Sequence, residues 1–354
     1  MTTRRDFLKT MTMASAGLAL GTGDLLGAPI SVSQRKAAAD KVKIAYVGIG
    51  NRGEQIIGDF ARTGMVEVVA LCDVDMGAPH TQKVMNMYPK AKRFRDFRQM
   101  FDKAGNDFDA VAIATPDHSH FPITMLALAS GKHVYVEKPL ARTFYEAELL
   151  MQAALKRPNL VTQVGNQGHS EANYFQFKAW MDAGIIKDVT AVTAHMNNPR
   201  RWHGWDSGIY KLPSGQQLPN DMDWDTWLGV VPYHEYNKDY HLGQWRCWYD
   251  FGMGCLGDWG AHILDTVHEF LELGLPYEVS MQYANGHNDY FFPYSSTILF
   301  RFPQRKGMPP VDITWYDGLD NLPPIPEGYG VSGLDPNIPK TNPVSYTHLT
   351  LPTN

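Results

Sequence analysis

Residues 43–48 form a short apolar run that ends in Gly48-Ile49-Gly50-Asn51-Arg52-Gly53, and a helix-forming stretch, 53–63, follows at once. A second apolar run, 67–73, closes on Asp73. Few folds accept this order of strand, glycine turn, helix and strand-end acid. Gly48 permits the tight turn, Gly50 lets the backbone approach a pyrophosphate, and Gly53 lets the helix pack close to the strand. The helix N-terminus offers free N–H groups and a positive dipole end to the phosphates. Asn51 and Arg52 belong to the same loop. Asp73 can accept from the adenosine ribose hydroxyls, and its charge repels a 2′-phosphate, so NAD is favoured over NADP. Arg52 tempers that preference, because it can reach a phosphate from the loop. The plainer alternative is a glycine-rich turn beside a solvated acid.

The alternation continues. Apolar runs at 109–115, 133–137 and 160–164 are separated by helical patterns at 79–88, 97–104, 121–130 and 143–156. Short runs rich in Val, Ile and Ala suit strands buried on both faces. Strict strand–helix alternation predicts an α/β doubly wound parallel sheet, a Rossmann domain spanning 40–167. The rhythm changes near residue 168. A helix at 171–183 and a strand at 188–195 precede a Trp-, Tyr- and Pro-rich stretch, 197–254. A helix at 256–273 and strands at 277–285, 295–302 and 311–315 follow. This predicts an α+β domain over 168–343 with a largely antiparallel sheet. The 354 residues are 44% hydrophobic and carry a formal charge of −5, which gives no bias toward nucleic acid. Three cysteines, Cys72, Cys247 and Cys255, allow one disulfide at most. Cys247 and Cys255 are either a pair or two buried thiols.

The two ends read differently from the body. Arg4-Arg5-Asp6-Phe7-Leu8-Lys9 precedes a mildly apolar run that is too short to span a bilayer, and Ala37-Ala38-Ala39 offers a small-residue cleavage site. Residues 1–39 are therefore expected to be a twin-arginine (Tat) signal, recognised by the Tat machinery and directing export to the periplasm with no membrane anchor. Residues 344–354 resemble translated sequencing-adapter DNA, so the natural C-terminus is expected to differ from the one here.

Four ordered motifs then carry a resemblance. They are the Gly48–Gly53 loop, Ala114-Thr115-Pro116-Asp117-His118-Ser119-His120, Gly131-Lys132-His133-Val134-Tyr135-Val136-Glu137-Lys138-Pro139, and Gly257-Asp258-Trp259-Gly260-Ala261-His262. Together they resemble the Gfo/Idh/MocA oxidoreductase family, over 41 to about 318. Trp227-Leu228-Gly229 and Trp245-Arg246-Cys247-Trp248-Tyr249-Asp250-Phe251-Gly252 are similar to segments of its exported members. The resemblance implies a large open sheet in the second domain, incomplete here, and a homo-oligomer. It assigns Thr115, Pro116, His118 and His120 to the nicotinamide and ribose, with no metal. Asp117, His118, His120 and His262 otherwise make a conceivable zinc set. It gives Glu137 and Lys138 to the active site, where position alone leaves Lys138 equally readable as a surface lysine. Asp258 and His262, four apart on a predicted helix, share one face, so the carboxylate is expected to hold one imidazole nitrogen and leave the other as a base, and the resemblance makes them catalytic with Lys138. Gln163 and Asn166 look like a polar pair beside substrate and cofactor. Asp265 either binds substrate or makes a structural bond. Arg200, Trp202, Trp245 and Arg246 are candidates for stacking on and bonding a carbohydrate, although most aromatics of 197–254 are expected to fill core.

The expected activity is NAD-dependent oxidation of a sugar or glycoside hydroxyl with a retained, recycled cofactor. An NAD-dependent glycoside hydrolase is the nearest alternative, and a non-catalytic exported sugar-binding protein is the third.

Overall fold

A computed structural model of the chain describes residues 41–196, 211–241, 243–305, 307–324 and 347–348. The proposed signal, residues 1–39, and Arg200 and Trp202 lie outside the described residues, as does most of the 344–354 tail.

The first domain runs β1 (Val42–Val47), α1 (Arg52–Arg62), β2 (Val66–Cys72), α2 (Pro79–Met87), β3 (Lys92–Phe94), α3 (Phe97–Ala104), β4 (Ala110–Ile113), α4 (Asp117–Ala129), β5 (His133–Glu137), α5 (Phe144–Leu155) and β6 (Thr162–Gly165). The six strands form one parallel sheet in the order β3-β2-β1-β4-β5-β6. Strand alternation sorts the core. Ala45 and Val47 of β1 join one buried cluster with side chains of α3, α4 and α5, whereas Ile44 and Tyr46 join another with α1 and α2. Both faces of the strand are therefore sealed, and each large apolar side chain so buried contributes about 1.5–3 kcal/mol. Strand β3 was absent from the sequence reading. It has three residues, and Lys92 and Arg93 are exposed on the sheet edge, where charge suits an edge and hides the pattern.

The second domain contributes α6 (Ala172–Asp182), β7 (Ala191–Met196), the short helix α7 (Trp224–Leu228), a π turn (Leu256–Gly260) that runs into α8 (Ala261–Phe270), β8 (Glu278–Asn285), β9 (Ser295–Phe302), β10 (Val311–Asp317) and the two-residue β11 (Thr347–His348). The sheet order is β11-β7-β10-β9-β8. The β7–β10 pair is parallel and the other pairings are antiparallel, so the sheet is mixed. Phe177 and Met181 of α6 pack with Val267 of α8 against Val192 and Ile313 on one sheet face.

The aromatic segment 211–254 joins the domains. Asp221 O accepts from Met76 N–H at 3.2 Å, and Asp223 N–H donates to Val74 O at 2.8 Å. Its rings make their own core: Trp224 stacks on Trp227 at 4.5 Å, and Tyr240, Trp248 and Phe251 are buried. Arg142 of the first domain donates to Tyr249 O at 2.9 Å and to Asp250 O. Among the described residues no helix is long and apolar enough to cross a membrane. Cys72, Cys247 and Cys255 are all free thiols.

Candidate active site

The C-terminal ends of β1, β2, β4 and β5 face the aromatic segment across a cleft of about 590 Å³. This is the edge where open parallel sheets bind ligands, and the strand order reverses there, between β1 and β4.

The glycine loop is built as a cradle. Gly48 has φ 77°, and a Cβ on it would lie 2.6 Å from Ala114 O. A Cβ on Gly53 would overlap the Gly48 carbonyl, so the first turn of α1 sits directly on the strand end. The missing Cβ of Gly50 leaves the space against which the His80 ring packs. Asn51 precedes α1 at φ 48° and ψ −102°, outside the left-handed helical well and with no side-chain bond to the helix. Asp73 accepts from Ile49 N–H at 2.9 Å and from Asp75 N–H at 3.0 Å. Burial pushes its pKa up, against the pull of those two N–H groups. Its carboxylate therefore braces the loop and still lines the cleft. Thr115 and Pro116 line the nearby wall, and the Thr115 hydroxyl is buried with no hydrogen-bond partner. A cradle without Cβ atoms, a helix N-terminus and an orphan hydroxyl fit a dinucleotide.

Arg52 takes a different place from the phosphate reach expected of it. Its Nε and Nη2 donate to Glu137 Oε1 at 3.1 and 3.0 Å, and Nη1 donates to Gln55 at 3.0 Å. Tyr135 O–H donates to the same Glu137 oxygen at 3.2 Å. Gly165 of β6 makes room, since a Cβ there would stand 2.6 Å from that oxygen. The glycine loop is thus tied to the residue that precedes Lys138.

Lys138 follows β5 and is joined to Pro139 by a cis peptide bond. Its Nζ donates to Asp258 Oδ1 at 2.6 Å and to Asp258 O at 2.8 Å. Arg246 Nε donates to the same Oδ1 at 3.2 Å, and its guanidinium lies 4.2 Å over the Trp245 ring. Asp258 is buried on the π turn and serves two cations. His262 Nδ1 lies 3.3 Å from Gln167 O. A carbonyl oxygen only accepts, so the proton sits on Nδ1 and the Nε2 lone pair is left to act as a base. Burial and the Lys138 charge lower the His262 pKa, which keeps that base neutral. The Asp258–His262 partnership expected from their spacing is replaced by Asp258–Lys138. Bonds to charged donors are roughly twice as strong as neutral ones, so the ammonium and guanidinium outcompete a neutral imidazole.

Other placements differ from expectation. His118 and His120 do not line the cleft. His118 is buried with Nε2 2.6 Å from Trp227 O and Nδ1 3.4 Å from Phe251 O, so it fastens the aromatic segment to α4, and burial pushes its pKa down to about 4. His120 lies 2.6 Å from Pro139 O and 2.9 Å from Thr115 O, clasping two loops that flank the cleft. Both rings meet a main-chain carbonyl at each nitrogen, and in its neutral form each donates to one of the two. Gln163 is exposed, and its side chain bonds Val164 O. Gln167, four residues on, lines the cleft instead. Asn166 donates to Ala261 O at 3.0 Å and steadies the start of α8, with its Oδ1 buried and unpartnered. Asp265 accepts from His169 at 2.7 Å, away from the cleft, which is the structural bond of the two readings. Asp117, Trp227 and His80 line the cleft without having been assigned there; only Asp117 stood within a quoted motif that carried chemistry. Among the described residues no His, Cys, Asp or Glu set comes together to hold a metal.

Family comparison agrees with this geometry. Residues 42–165 match the model of an oxidoreductase family with an NAD-binding Rossmann fold, and 172–302 match its C-terminal α/β domain. An inositol 2-dehydrogenase of Salmonella typhimurium is 28% identical over 191 residues, covering 53% of this chain and 54% of that protein. A glycosyl hydrolase family 109 protein of Shewanella pealeana is 31% identical over 167 residues, covering 43% and 36%. The chain spans about half the length of the first relative and about a third of the second. Similar folds include the WlbA dehydrogenase of Bordetella pertussis solved with NADH and UDP-GlcNAcA (TM-score 0.55, 17% identity, 78% of this chain and 70% of that one). GenD2 from gentamicin A biosynthesis, solved with NAD, gives a TM-score of 0.55 at 16% identity over 81% and 68%. The chain belongs to the Gfo/Idh/MocA family of NAD-binding oxidoreductases.

Proposed function

We propose that this protein oxidises a hydroxyl of a sugar or glycoside and keeps its NAD bound, with a second, carbonyl substrate taking the hydride back from NADH before the next turnover. The observation that carries the reading is the Lys138–Asp258–Arg246 cluster beside a neutral His262 in one cleft. NAD, when bound, supplies the hydride acceptor. The Lys138 ammonium donates to the substrate oxygen and stabilises its developing negative charge. His262 Nε2 takes the hydroxyl proton. Asp258 holds Lys138 in place from two oxygens, and Trp245 with Arg246 offers a stacking face for a sugar ring. The Asp73 carboxylate at the adenosine end favours NAD over NADP. Retention is supported by the bonds between 221–223 and 74–76, which lie across that end.

The Arg4-Arg5 leader supports export to the periplasm by the Tat route, where a retained cofactor needs no external pool. Assembly as a homo-oligomer is part of the same reading.

Likeness to the glycosyl hydrolase family 109 protein supports a second reading, in which oxidation is the first step of a redox-neutral glycoside cleavage. One experiment separates them. The protein is fed free sugars and nitrophenyl glycosides with no cofactor added. Sugar-dependent nicotinamide absorbance that stalls after one equivalent supports the oxidoreductase. Nitrophenol release with no lasting absorbance supports the hydrolase, and neither signal refutes both.

A further inference from the structure

One carboxyl of the cleft takes no part in the arrangement above. Asp117 opens α4 directly after Pro116, is 4% exposed, and lines the cleft with Lys138, Arg246, Asp258 and His262. The other carboxylates there are held by donors: Asp73 by two N–H groups, Glu137 by Arg52 and Tyr135, Asp258 by Lys138 and Arg246. Among the described residues, none hydrogen-bonds the Asp117 side chain. A buried carboxyl left without partners is unfavourable by several kcal/mol in order of magnitude, about 1–3 kcal/mol in the milder mutational estimates.

The simpler account is a first-turn acid that favours the positive end of α4. That account calls for an anion with a depressed pKa. The surroundings do the opposite. Burial and the Asp258 charge raise the Asp117 pKa, the charges of Arg246, Lys138 and Arg142 oppose them only in part, and the result is pushed up to about 7. Below about pH 7 this cleft-lining group therefore carries a proton.

We propose that Asp117 is a substrate-binding acid, donating its carboxyl O–H to a second sugar oxygen next to the one held by Lys138 and His262. The substrate class is then a vicinal diol, bound through two adjacent oxygens, rather than an isolated alcohol. The inference rests on the proposed sugar reading for its ligand, and its test is a binding measurement that needs no turnover.

The full-length, NAD-loaded protein is titrated with glucose, myo-inositol and N-acetylglucosamine while tryptophan fluorescence is followed, Trp227 and Trp245 being cleft residues. In the wild type, the Kd of the tightest of the three should rise roughly tenfold between about pH 6 and about pH 8.5, as Asp117 loses its proton. Asp117→Asn keeps the shape and a donor but does not titrate, so its Kd should change less than about threefold over that range. Asp117→Ala should bind roughly tenfold more weakly at about pH 6. An undiminished pH dependence in Asp117→Asn overturns the proposal. So does wild-type affinity in Asp117→Ala, or no quenching by any of the three sugars. Failure of the redox reading looks different: the nicotinamide absorbance stays flat for every sugar while the pH-dependent quenching, and its loss in Asp117→Asn, persists.

Discussion

On the Rossmann side of the cleft, Gly48, Thr115, Glu137 and Lys138 stand at or just past the ends of β1, β4 and β5, and the parallel ladder sets their spacing. Across from them, Trp227, Trp245, Arg246 and Asp258 come from short helical turns of four or five residues. No ladder places those turns. They are held by scattered main-chain bonds, such as Asp223 to Val74 and Tyr249 to Tyr290, and by side chains that reach main-chain carbonyls: His118 to Trp227, Arg142 to Tyr249 and Asp250, Lys138 to Asp258. One wall is thus positioned by cooperative backbone pairing, which a single surface change barely moves. The other depends on individual bonds, and each can be released by one substitution.

The largest test of this contrast removes the group that joins the walls. Lys138→Ala should slow sugar-dependent nicotinamide reduction roughly 10³-fold, measured in single turnover, through loss of the donor to the reacting oxygen. Gly53→Val attacks the ladder-built wall where it has no slack. Its side chain runs into the Gly48 carbonyl, and overpacking of about 3 kcal/mol corresponds to roughly a hundredfold loss of NAD affinity by calorimetry.

His118→Phe should release the other wall with the sheet intact. Trp227 O loses its imidazole donor, while Phe251 O keeps the main-chain N–H of residue 118, for a loss of about 1–3 kcal/mol in urea unfolding and faster NAD release by stopped flow. The pH dependence has a definite sign. The folded His118 pKa lies near 4, below the unfolded value, so the unfolded chain binds more protons in the window between about 4 and 6.5. Wild-type stability therefore falls as pH drops through that window, and His118→Phe should show a shallower decline. The smallest effect is expected from Arg52→Gln. Arg52 is partly exposed, so its ion pair with Glu137 is partly screened, and a loss of about 1 kcal/mol with a severalfold lower kcat at nearly constant KM is expected. An effect as large as that of Lys138→Ala would show that both walls hang on this one pair.

The two walls also differ in how well a linear sequence displays them. The glycine loop and Asp73 were readable because strand–helix periodicity and glycine spacing are local patterns, whereas Lys138 came from the resemblance of its motif and not from its position. The aromatic wall was not, because its geometry comes from contacts between distant segments such as His118 with Trp227. The four-residue spacing of Asp258 and His262 implied a shared bond, but it says nothing of the Lys138 and Arg246 charges that claim the carboxylate. Gln163 and Gln167 are equally polar in sequence, and only the end of β6 decides that the second one faces the cleft. The resemblance gave His118 and His120 to the nicotinamide and ribose, whereas the structure buries both rings against main-chain carbonyls, where they fasten loops.

The bonds between residues 74–76 and 221–223 carry a consequence for the order of events during synthesis. The ribosome releases the Rossmann half well before the segment that lies over it, so for a time the nascent cleft stands open at its adenosine end. On the proposed retention of NAD, a dinucleotide that arrives in that interval is covered as translation proceeds, and one that comes later meets two main-chain bonds already formed. The proposed retention then has a measurable consequence: cofactor content is inherited from the moment of manufacture, and two batches of the same polypeptide should differ in it when they are made at different NAD levels.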